Sequence, residues 1–77
     1  MMHEQQPPYP PATITVVQEP TGGTITMRRP KTVTQLLNKL ELRPGTTLVI
    51  RNGELLTPDR RIETGDTITV RTVISRG

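Results

Sequence analysis

Only one stretch of this chain repeats with the period of a helix, and that single stripe limits what the chain can fold into. Val33, Leu36, Leu37 and Leu40 recur at three- and four-residue spacing, so they share one helix face. Thr32-Val33-Thr34-Gln35 has the form of a capping box. In that box the Thr32 hydroxyl accepts from the Gln35 N–H, and the Gln35 side chain reaches back to the Thr32 N–H. Pro44-Gly45 ends the segment, so the spacing predicts a helix over roughly residues 33–41. Every other patterned stretch alternates with period two. A lone amphipathic helix must bury its stripe against one face of a sheet built from those stretches.

Ala12-Thr13-Ile14-Thr15-Val16-Val17 alternates, which predicts a strand burying Ile14 and Val16. Glu19-Pro20-Thr21-Gly22-Gly23 is turn chemistry, and Thr24-Ile25-Thr26-Met27-Arg28 alternates again, with Ile25 and Met27 inward. The two runs predict a hairpin with a longer loop. Beyond the helix, Thr47-Leu48-Val49-Ile50-Arg51 reads as a third strand, Asn52-Gly53 as a tight turn and Glu54-Leu55-Leu56 as a short fourth strand. The loop Thr57-Pro58-Asp59-Arg60-Arg61-Ile62 has Ile62 as its inward anchor, Gly65-Asp66 marks a turn, and residues 67–73 form a last strand. That strand has no short link to the first, so it is expected to lie beside it and run parallel, with the helix as crossover. The expected class is α+β: a mixed sheet of four to five strands with one helix packed across it, the β-grasp arrangement.

Composition narrows the function classes. A chain of 77 residues is one small domain that buries about 60% of its unfolded surface. There is no Phe, no Trp and no Cys, and Tyr9 is the one aromatic residue. The core must therefore come from Ile, Leu, Val and Met, with no disulfide and no thiol nucleophile. No apolar run approaches the ~20 residues of a membrane span. The expectation is a cytoplasmic monomer that binds no membrane. The net charge of +3 comes from basic residues that stand singly or in pairs, such as Arg28-Arg29 and Arg60-Arg61. Without stacking aromatics, direct nucleic-acid binding is not expected. Residues 1–11, with Pro7-Pro8-Tyr9-Pro10-Pro11, read as a disordered proline-rich leader ahead of a domain over residues 12–77.

No catalytic constellation is present, so an enzyme is not expected. His3 has no second ligand nearby. Asp59, Glu63 and Asp66 are read as a solvated loop with Asp66 in a turn, and no metal or stably bound cofactor is expected.

Residues 12–77 resemble the ubiquitin-like sulfur carriers, the family of the ThiS and MoaD proteins. The resemblance rests on Leu48-Val49-Ile50-Arg51-Asn52-Gly53-Glu54-Leu55-Leu56-Thr57, then Gly65-Asp66-Thr67-Ile68-Thr69-Val70 and Val73-Ile74-Ser75. It is most similar to the bacterial carrier for tRNA 2-thiouridine and to the archaeal small modifiers. The resemblance implies that a flexible C-terminal tail, residues 74–77, presents Gly77 to an adenylating partner that uses ATP. The glycine then becomes a thiocarboxylate, and a sulfurtransferase or tRNA-thiolation enzyme draws on it, for tRNA or for cofactor biosynthesis. In some members the glycine is joined instead to lysines of target proteins.

The family ends in Gly-Gly, whereas this chain ends in Ser75-Arg76-Gly77. Gly77 matches the reacting glycine, and Arg76 stands where the other is expected. In a tight channel a Cβ and a guanidinium would collide or demand other backbone angles. Arg76 therefore also fits a non-conjugating β-grasp interaction module. The docking surface is expected beside the tail. If Leu48 and Ile50 point inward, Val49 and Arg51 lie on the opposite face, with Thr69, Arg71 and Val73 outward on the last strand.

Overall fold

The computed structural model describes residues 12–73. The leader expected over residues 1–11 and the tail expected over residues 74–77 lie outside the described residues. The elements are β1 Thr13–Glu19, β2 Gly23–Arg28, α1 Val33–Leu40, a 3-10 turn Pro44–Thr46, β3 Thr47–Arg51, β4 Glu54–Leu55 and β5 Thr67–Thr72. They form one five-stranded sheet in the order β2-β1-β5-β3-β4. β1 and β5 are parallel at its centre, and the other pairs are antiparallel. A single helix covers one face, so the fold is the α+β β-grasp arrangement that the sequence predicts.

The core follows from the two periods. Ile14 and Val16 of β1, Val49 of β3 and Ile68 and Val70 of β5 meet Val33, Leu36 and Leu37 of α1, with Leu56 and Ile62 closing the margin. Burying a side chain of this size contributes about 1.5–3 kcal/mol. Ile62 is the inward anchor of its loop, as expected. Ile25 is not inward as expected: it is 38% exposed. It pairs with Val16 on the helix side, but β2 is the sheet's outer strand and the core does not extend over it.

The start of α1 is closed by three different acceptors. The Gln35 N–H donates to the Thr32 hydroxyl at 3.3 Å, the predicted half of the capping box. The other half differs: Gln35 Oε1 accepts from the Lys31 N–H at 2.9 Å rather than from Thr32. Val33 donates its N–H to the Arg60 carbonyl at 3.1 Å, and Thr34 donates both its N–H and its hydroxyl to the Pro58 carbonyl at 3.0 Å. The first-turn amides, which a helix cannot satisfy itself, thus hold the loop before β5 in place. The helix ends one residue earlier than predicted. Glu41 takes φ 60° and donates its N–H back to Asn38 and Leu37, closing the last turn.

Asn52 (φ 55°) and Gly53 (φ 79°) both adopt left-handed backbone, which a two-residue hairpin loop between β3 and β4 requires. β4 stops at Leu55, and Leu56 turns into the core while its N–H still reaches the Val49 carbonyl at 2.8 Å. Among the described residues, no helix is long and apolar enough to cross a membrane.

Candidate functional site

The face of the sheet that α1 does not cover is built by alternation. Ile68 and Val70 point to the helix, so Thr69 and Arg71 point away. Register then sets their neighbours. Thr69 lies between Val17 of β1 and Ile50 of β3, and Ile50 in turn faces Leu55 of β4. Arg71 lies between Glu19 and Leu48. An apolar strip of Leu48, Ile50 and Leu55 thereby runs beside the arginine, with Val17 across Thr69 from it. Leu48 is 37% exposed and Leu55 59%, so both leave apolar surface open to solvent.

Two of the residues expected on this face are elsewhere. Val49 is 3% exposed and belongs to the core. It pairs with Val70, which faces the helix, so Leu48 and Ile50 take the outer face that was expected for Val49. Arg51 shares Val49's phase. Its guanidinium donates to Asp66 Oδ2 at 2.9 Å and to the Arg61 carbonyl at 3.1 Å, under the loop rather than on the open face. Thr69, Arg71 and Val73 stand outward as expected. Leu48, Ile50 and Leu55 were missed. The Asn52-Gly53 turn relates Ile50 to Leu55, but nothing in Leu48-Val49-Ile50 indicates which parity is inward.

Arg71 places Nε and Nη2 on the same Glu19 oxygen, at 2.9 and 2.7 Å. Both side chains remain substantially exposed, so the pair is worth at most about 1 kcal/mol and a partner can exchange it cheaply. Beyond Arg71, the Val73 N–H donates to the Thr46 carbonyl at 2.8 Å, which carries ordered pairing to the last described residue. Val73 is 45% exposed. On the helix side of the same pole, an apolar groove of about 390 Å³ opens between Pro20, Leu42, Val70 and Thr72. The sequence holds no signal for it, since Leu42 lies past the helix.

The acidic loop has local roles. Asp66 Oδ2 accepts from the Glu63 N–H at 2.9 Å as well as from Arg51, making it the turn residue that was expected. The Thr57 hydroxyl donates to Asp59 Oδ1 at 2.6 Å and holds that carboxyl below its usual range, with a backbone hydrogen bond and the charge of Arg60 acting the same way. Among the described residues, no group of three or more His, Cys, Asp or Glu side chains could hold a metal ion.

The ThiS family matches residues 13–75. This chain belongs to that family. Its members are small ubiquitin-like sulfur carriers that work with activating and sulfur-transfer enzymes. Among solved structures, the chain is similar to a computationally designed protein based on the template of human erythrocytic ubiquitin. They share 28% identity at a TM-score of 0.66, over 86% of this chain and 96% of that one. No curated protein matches the chain.

Proposed function

We propose that this chain carries sulfur on the carboxylate of Gly77. An ATP-using partner docks on the open face around Leu48, Ile50, Thr69 and Arg71 and adenylates that carboxylate, releasing pyrophosphate. A carboxylate is a poor electrophile, and the mixed anhydride is a good one. The outer sulfur of a persulfide then attacks the carbonyl, forming a C–S bond as AMP leaves. A thiol attacks the inner sulfur, breaking the persulfide's own S–S bond to release the thiocarboxylate and leave a disulfide. This chain supplies a docking face and an acyl group, and no catalyst. The product serves tRNA thiolation or cofactor biosynthesis. The observation that carries this reading is the match to the ThiS family, which runs through β5 into Ile74-Ser75.

Intact mass after incubation with an adenylating enzyme, ATP and a persulfide source tests it. The mass rises as sulfur replaces one carboxylate oxygen, and deleting Gly77 abolishes the rise. If Arg76 obstructs the channel, Arg76→Gly increases the yield. Equal yield from both forms makes Arg76 a tolerated variant. Arg76 also favours a second reading, the non-conjugating interaction module. Activation of neither form by any cognate adenylating enzyme supports that reading against the carrier. Attachment to lysines of target proteins, the modifier reading, would appear as protein conjugates in the same assay.

A further inference from the structure

The sheet has two edges, and they are treated differently. At one edge β4 is only two residues long, too short to template another strand. At the other, β2 runs six residues, Gly23–Arg28, with no proline or lysine among them. Register shows which of its backbone groups are free. The Arg29 N–H donates to the Ala12 carbonyl at 2.8 Å, and the pairing continues Thr13 with Arg28 and Ile14 with Met27. Hydrogen-bonded pairs alternate along an antiparallel ladder, so Met27 and Ile25 bond inward to β1. Thr24, Thr26 and Arg28 therefore turn their N–H and C=O groups outward, with no neighbouring strand among the described residues. Beside them Ile25 exposes apolar surface on the helix side.

The end of this edge is basic. The Ile62 N–H donates to the Lys31 carbonyl at 3.1 Å, and Thr32 bridges to Arg61, so two tracts far apart in sequence lie side by side. Among the described residues, Arg28, Arg29, Lys31 and Arg61 take part in none of the ion pairs, which are Arg51–Asp66, Arg60–Glu54 and Arg71–Glu19. Of the acids on this loop, Asp66 is engaged by Arg51, which leaves Asp59 and Glu63 to offset these four cations.

We propose that the outer edge of β2 is a second docking site, which takes an extended, acid-flanked segment of a partner protein as a sixth strand. Main-chain hydrogen bonds at Thr24, Thr26 and Arg28 supply affinity that tolerates many sequences. The unpaired cations at the Arg28 end select an acidic flank and fix the register. The site lies away from the open face, so this inference stands whether or not the chain carries sulfur.

The probe is a ten-residue peptide with a central Val-Ile-Val-Ile run and three glutamates on each side, titrated into the isotope-labelled full chain by NMR. The expected shifts cluster on residues 23–31 and at Arg61. Affinity is at least tenfold weaker for the lysine-flanked peptide and for Arg28→Glu. A peptide N-methylated at alternate residues, which leaves the chain itself untouched, loses binding. Several outcomes overturn the proposal: shifts centred on Val17, Ile50 and Thr69, equal binding of the lysine-flanked or N-methylated peptides, or self-association through β2 that the peptide does not compete. A uridine oligonucleotide that shifts the same residues at lower concentration than the peptide would assign the cations to nucleic acid and overturn it too.

Discussion

Val49 and Leu48 are adjacent and chemically alike, and the sheet sends them to opposite environments. Val49→Thr keeps the shape but buries a hydroxyl among apolar neighbours, where an unpaired polar group costs about 1–3 kcal/mol. Leu48→Thr changes an outward residue and is expected to cost less than about 1 kcal/mol. Urea unfolding of the two variants checks the assignment, and equal losses would contradict it. This parity is where the sequence was least legible. Leu48-Val49-Ile50 is apolar at both phases, so period two selects neither, and the polar flanks Thr47 and Arg51 suggest the wrong one. Thr47 and Arg51 in fact share Val49's side: Thr47 is buried and Arg51 is held by Asp66. A titration belongs at the same scale. Thr57→Ala removes the main donor to Asp59, so that carboxyl's titration moves back up toward its ordinary value. The sign for stability follows. A lowered carboxyl favours the fold above its unfolded value and loses that contribution as pH falls through the folded one. Carboxyl NMR of both forms reads the shift directly, and an unmoved Asp59 would mean that the hydroxyl is not its main partner.

At the scale of elements, α1 and the loop before β5 are one unit. Thr32 accepts the Gln35 N–H, Thr34 is bound to Pro58, and Arg29 Nη1 donates to the Ile62 carbonyl at 3.0 Å. Thr32→Ala is expected to cost about 1 kcal/mol, as for loss of an N-cap. Because the cap and the loop share the helix's first turn, amide exchange should quicken at Thr34 and Ile62 together. Faster exchange confined to the helix would separate them. The helix, the hairpin turns and all five strands were legible because Thr alternation, Asn52-Gly53 and Pro44-Gly45 are local signals. The attachment of the loop to the helix start was not, since it joins Pro58 and Arg60 to residues more than twenty positions away through backbone carbonyls that any sequence carries. The outward turn of Ile25 escaped for a related reason. Periodicity gives the face of a residue, but only sheet order shows that β2 is an edge.

For the whole molecule, the open face and the end of β5 form one continuous surface. Replacing Leu48 with Asp and Arg71 with Glu removes apolar area and reverses a charge beside the exit of the last strand. Binding to an adenylating partner is expected to weaken at least tenfold by calorimetry, with the melting temperature almost unchanged. Undiminished affinity would leave this face as ordinary solvated sheet. The central parallel pairing of β1 with β5 has a mechanical consequence as well. The described domain enters at the base of β1 and leaves at the top of β5, so its two ends emerge at opposite poles of adjacent parallel strands. Tension applied between them loads the hydrogen bonds of that pair in shear, all at once, instead of peeling them singly. Pulling the two ends apart therefore meets its resistance at the start, while β2, β3 and β4 are still in place.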